Sequence, residues 1–97
     1  MRPVQFLPEA RVDLAGIHRF TRRHFGQTQA DVYVSLISEM CSLVADGYPG
    51  SRNEAATQPG LFSHRVRSHR FFFRGKSGGQ IVVVRILHDA MNFEDHL

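Results

Sequence analysis

An α+β fold is predicted for this chain from three observations. Two consecutive segments near the N-terminus carry apolar residues at helical spacing, a Gly/Pro/Ser/Asn-rich break follows at 49–60, and three short strand-like runs come after it. A leading apolar run adds an N-terminal strand. The expected architecture is that strand, an antiparallel helical hairpin, and a three-stranded antiparallel meander packed on the hairpin. Ninety-seven residues fit one domain, spanning 1–97. A chain this short needs most of its 42% apolar residues for the core, which leaves little volume for a deep cofactor pocket.

Each element has a local cause. Residues 3–7 form a short apolar run with Pro3 at its edge, suited to a first strand. Pro8 opens a helix over about 9–25, with Glu9 placed well against the helix dipole. Ala10, Leu14, Ile17, Thr21 and Phe25 recur at spacings of three and four, and Gly26 stops the pattern. Thr28 is the expected N-cap of a second helix over 28–46, whose stripe is Tyr33, Leu36, Ile37, Met40, Leu43 and Val44. Gly47-Tyr48-Pro49-Gly50 ends it, and 49–60 reads as a loop. Strands are expected at 61–67, at 70–74 through Phe71-Phe72-Phe73, and at the β-branched run 80–87. Ser68-His69 and Lys76-Ser77-Gly78-Gly79 supply the turns. The tail, 88–97, is polar with scattered Met91, Phe93 and Leu97, and either folds over the sheet or stays mobile.

Charge is more informative than composition. Eleven of twelve basic residues are Arg, a side chain favoured where a planar fork meets carboxylate or phosphate. Residues 1–51 balance five Arg with five acids, whereas 52–88 hold six Arg and Lys76 against Glu54 alone, and the last nine residues hold three acids. The excess marks a surface for nucleic acid or for an acidic protein partner. Strand alternation puts Arg65 with Arg67 on one face, and Arg70 with Arg74 on one face with Phe72 between them. Six histidines invite a metal or catalytic reading, but neither His64/His69 nor His88/His96 has ligand spacing with a Cys or carboxylate. His18 and His24 fall off the apolar face of the first helix and read as solvated. Cys41 is a small apolar residue on a helix. No cofactor or metal is expected. No apolar stretch approaches the ~20 residues of a membrane span, and Met1-Arg2 leads into no signal-peptide core, so a cytoplasmic location is expected.

The ordered motifs are more specific than any single one. Pro8-Glu9-Ala10, Asp13-Leu14, Ile17, Phe25-Gly26, Ala30 and Tyr33 come first, then Gly60-Leu61, Ser68-His69, Phe71-Phe72-Phe73-Arg74, Arg85-Ile86-Leu87-His88, Met91-Asn92 and His96-Leu97. Taken together they resemble the RelE/ParE toxin superfamily, on its ParE, or plasmid-stabilisation, branch, over nearly the whole chain. The resemblance implies the toxin of a type II toxin-antitoxin module, wrapped by a ParD-type antitoxin in a hetero-oligomer and acting on DNA gyrase by binding. The alternative it implies is a ribosome-dependent mRNA endoribonuclease of the RelE type, the case in which direct nucleic-acid contact is expected. The tail carries Phe93, which has no hydroxyl to move a proton, and both tyrosines, Tyr33 and Tyr48, precede the strands, which favours the non-catalytic reading. His69, His88 and His96 remain the available proton carriers. Residues expected to bind antitoxin or target are Arg65, Arg67, His69, Arg74, Arg85, His88 and Met91, and no catalytic residue is expected. Phe62, Arg67 and Phe73 depart from the family pattern of Arg, Gly and Tyr at those places.

Overall fold

The structure, a computed structural model, describes residues 4–97; Pro3 and the Met1-Arg2 start lie outside the described residues. The chain runs β1 (Val4–Phe6), α1 (Pro8–Phe25), α2 (Gln27–Ala45), β2 (Arg52–Asn53), β3 (Phe62–Val66), β4 (His69–Gly75) and β5 (Ile81–His88), with short 3₁₀ turns at Ser77–Gly79 and Phe93–Asp95. The α+β class and the helical hairpin are as expected.

Gly26 makes the hairpin in a single residue. At φ +93°, its N–H closes α1 on the Arg22 carbonyl at 2.9 Å, and its own carbonyl accepts from Ala30 N–H to open α2 at 3.1 Å. Thr28 is therefore not the N-cap: it lies inside the first turn of α2, which starts at Gln27 with no side-chain cap. The inward faces are Ala10 and Ile17 on α1 and Ala30, Ile37, Cys41, Val44 and Ala45 on α2, with Leu14, Tyr33, Leu36 and Met40 packed at the margin. Burial pushes the Cys41 thiol up to about 12 and keeps it inert. Two residues expected inside point outward: Phe25 is 69% exposed and Leu43 40%. At 3.6 residues per turn Phe25 drifts about 60° from Ala10, and Leu43 stands about 100° round from Val44.

The sheet is larger than the expected meander. Its order is β1-β5-β4-β3-β2, with β1 parallel to β5 and the remaining pairs antiparallel. The helical hairpin thus carries the chain from β1 at one edge of the sheet to β2 at the other, and the meander returns to set β5 parallel beside β1. Arg52-Asn53, within the segment read as a loop, adds a two-residue edge strand on β3. Between Phe72↔Arg85 and Phe73↔Val83 the register slips, leaving Val84 as a bulge residue in β5.

Alternation divides the sheet residues between two cores. Val66, Phe71, Phe73, Ile81, Val83 and Ile86 face the hairpin. Leu61, Phe72 and Leu87 face the other way, where the tail covers them with Phe93 and Leu97. The tail therefore folds over the sheet: Phe93 meets Phe72 edge-on at 5.0 Å between ring centres.

Candidate functional site

An open groove of about 550 Å³ runs between α1 and the far end of β4 and β5. Val12, Gly16, Arg19 and Phe20 of α1 form one wall, and Ser68, His69, His88 and Met91 form the other. Its lining is largely apolar and exposed: Val12 is 69% and Phe20 61% accessible, and Phe25 and Met91 of the same lining are exposed with them. Tyr33 reaches into it from α2.

The histidines meet here because β4 pairs with β5. His69 stands opposite His88, with rings edge-on at 5.0 Å, and Tyr33 Oη lies 2.6 Å from His69 Nδ1 and 3.3 Å from the Val66 carbonyl. The His88 Nδ1 accepts the Ala90 N–H at 3.0 Å, so the neutral ring carries its proton on Nε2. Burial, and then the neighbouring His88, hold the His69 imidazole below its ordinary range against a smaller pull from Asp89. His69 is thus an uncharged hydrogen-bonding group at neutral pH. Among the described residues no three His, Cys, Asp or Glu side chains converge as a metal would require.

The arginines do something different. Arg65 bonds the Arg67 carbonyl at 2.8 Å and pairs with Asp89 at 2.7 Å, fastening the hairpin tip to the tail. Arg70 donates to the buried Ser63 hydroxyl at 3.0 Å, which in turn donates to Glu54 at 2.6 Å. Burial works against the charge on Glu54, yet hydrogen bonds from Ser63 and Arg52 hold its carboxyl below the usual range. Arg74 binds the Pro59 carbonyl and Gln58, pinning the 54–60 loop. Arg85 donates to both Asp13 carboxylate oxygens, at 2.7 and 3.0 Å, and to the His96 carbonyl at 2.8 Å, joining α1 to the tail. The Arg67 side chain has no hydrogen bond or ion pair among the described residues and lies at the turn beside Thr21, Phe25 and Val32, with φ +53°.

The expected site residues therefore split. His69, His88 and Met91 line the groove on the helix-facing side, Arg67 projects from the hairpin tip next to it, and Arg85 anchors the groove's Asp13. Arg65 and Arg74, with Arg70, lie across the sheet on the tail-facing side, because Phe72 between Arg70 and Arg74 belongs to the tail-covered core. Arg67 does not share a face with Arg65, since β3 ends at Val66 and Arg67 is already in the turn.

A family model described as ParE toxin of type II toxin-antitoxin system, parDE, matches residues 4–93. The chain belongs to the ParE toxin family. Toxin ParE of Escherichia coli is 32% identical over 89 residues, covering 92% of this chain and 86% of that protein. Toxin ParE1 of Caulobacter vibrioides is 26% identical over 98 residues, covering 100% and 99%. Among solved structures, a chain of the chromosomal ParDE TA system from P. aeruginosa superposes with a TM-score of 0.71 at 25% identity, covering 91% of this chain and 96% of that one. A chain of the YoeB-YefM complex from Staphylococcus aureus shares the fold, with a TM-score of 0.62 at 15% identity over 91% and 97%.

Two of the three residues singled out as departures are packed. Phe62 and Phe73 stack on each other across β3 and β4 at 5.9 Å, and Phe73 also touches Phe71. In this ParE-family chain the α1 wall lies outside the helix's main apolar stripe. Val12 and Phe20 are large apolar residues out of phase with Ala10, Leu14 and Ile17, and that second stripe was the available signal. Tyr33 was assigned to the core, and only folding brings its hydroxyl to His69.

Proposed function

We propose that this ParE-family chain is a toxin that acts by binding, held inactive by a ParD-type antitoxin seated in the groove and directed against DNA gyrase in the cytoplasm. The observation that carries the reading is the groove itself: an exposed apolar floor on α1, bordered by Arg19 and two imidazoles, suits an amphipathic acidic segment. The ParDE system solved around a neighbour of the same fold supports an antitoxin partner.

The rival reading, cleavage of mRNA on the ribosome, has one observation in its favour: a phenol and two imidazoles cluster at Tyr33, His69 and His88. What favours binding is the employment of the strand arginines. A ribonuclease needs cations at the scissile phosphate beside its proton carriers, whereas Arg65, Arg70 and Arg74 are engaged by internal partners across the sheet from those histidines, which among the described residues leaves only Arg19 and Arg67 as cations at or beside the groove.

A supercoiling assay with purified chain, gyrase, relaxed plasmid and ATP tests it. Inhibition or trapped cleaved DNA, reversed by the antitoxin, is expected. Killing of cells with gyrase untouched, and mRNA cut on translating ribosomes, would overturn it in favour of the nuclease.

A further inference from the structure

Gly16 has no reason inside this molecule to be glycine. It lies in the middle of α1, an 18-residue helix, where glycine is the least favourable residue after proline. Its φ is not left-handed, and a Cβ built on it would meet only the Arg19 Nη2, at 3.9 Å, an ordinary contact with the end of a flexible side chain. Among the described residues no neighbouring strand, loop or helix occupies the space. What Gly16 does is interrupt a ridge: Val12, Gly16 and Phe20 follow one another at i, i+4 and i+8 along the groove wall, so the missing side chain is a notch between two exposed apolar ones.

We propose that this notch is the crossing point for an amphipathic helix of the antitoxin, whose backbone passes over Gly16 between Val12 and Phe20; the proposal rests on the antitoxin reading above. Two observations choose the occupant. The interaxial distance of packed helices is set by the side chains at the crossing, and glycine allows the closest approach. An extended segment would instead add a strand to β5, which beyond Val83 has no strand on its outer side among the described residues, but there the Ile86 N–H is already taken by Asp13 at 2.9 Å. The border of the groove is cationic or neutral. Arg19 lies on it with Arg22 and Arg23 following on α1, while its one carboxylate, Asp13, is occupied by Arg85. The helix that fits therefore carries carboxylates towards Arg19 and a small residue over Gly16.

The test compares the free chain and its complex with a full-length ParD-type antitoxin. Gly16→Ala and Gly16→Leu are measured by thermal melting of the free chain and by titration calorimetry, with Ala15→Leu, exposed and off the groove, as the control. Both Gly16 variants are expected to melt at or above the wild-type temperature. Gly16→Leu is expected to raise Kd at least tenfold and Gly16→Ala by a smaller factor, while Ala15→Leu leaves Kd unchanged. A Kd within twofold of wild type for Gly16→Leu would overturn the crossing, and a lower melting temperature for Gly16→Ala would make the glycine structural. Failure of the wild-type chain to bind the antitoxin would overturn the antitoxin reading itself, and this proposal with it.

Discussion

Arg67 sits at the tip of the β3–β4 hairpin with φ +53°, a backbone state that costs a residue bearing a Cβ roughly 1–2 kcal/mol. Glycine pays for that conformation only in unfolded-state entropy. Arg67→Gly is therefore expected to stabilise the chain by roughly 0.5–1 kcal/mol, read as a higher denaturant midpoint. A lower midpoint would show that the arginine side chain holds the tip in place. The imidazoles set a second residue-scale property. Burial, and then Arg70, lower the pKa of His64, while burial and then His88 lower that of His69. Below about pH 6.5 the unfolded chain takes up these protons and the native chain does not. The stability involved is complete above that pH and is lost as pH falls through the lower native values. Melting temperature is expected to drop between pH 7 and pH 5, and the drop should shrink in His64→Gln and His69→Gln. A flat profile in the wild type would contradict the uncharged state of the buried His64 and the half-buried His69.

At the scale of elements, one carboxylate does the work of a missing strand. β1 covers β5 only from Ile81 to Val83, and past that point Asp13 of α1 caps the Ile86 N–H while pairing with Arg85. The Asp13 side chain is 13% exposed and that of Arg85 25%, so the pair is only weakly screened. Asp13→Ala leaves a backbone donor and a guanidinium without their acceptor and is expected to cost about 2–3 kcal/mol. Because both partners act together, the double variant with Arg85→Ala should cost less than the sum of the two single changes, and a denaturation cycle measures the difference. Additive costs would show that Asp13 stabilises through the Ile86 N–H alone. This pair was legible only in part. Asp13-Leu14 and Arg85-Ile86 stood out as motifs, but their side chains are 72 residues apart and nothing in either segment says that they touch.

At the scale of the whole molecule, the tail adds a second, smaller core to the one on the helical hairpin. Phe93 and Leu97 close the second core, and Arg65–Asp89 and Arg85–His96 tie the tail across the sheet. Phe93→Ala is expected to cost about 1–2 kcal/mol, less than the 3–5 usual for a fully enclosed Phe because the ring is half-buried. Ending the chain after Ala90 should uncover Leu61, Phe72 and Leu87, seen as dye binding to apolar surface and a lower melting temperature. An unchanged melting temperature would mean that the tail is an appendage. Charge reversal at Arg74 or Arg85 follows the same logic: it is expected to lower stability first, so weakened antitoxin binding in those variants would reflect the fold rather than docking. Arg19 on the groove border is the cleaner probe of docking.

Local signals determined much of this protein from the sequence alone. Helical spacing, Gly26, the aromatic and β-branched runs and their turns specify two helices and the β3–β4–β5 meander, because each depends on residues near in the chain. The ordered motifs named the family by the same local route. Tertiary structure alone decided three things: that β1 lies parallel to β5, that Arg65, Arg70, Arg74 and Arg85 are taken up by internal partners, and that Tyr33, His69, His88 and the α1 ridge share one groove. Each depends on contacts between residues distant in sequence. Such contacts arise only when two elements dock, and a side chain's partners are then set by which face and which register that docking selects.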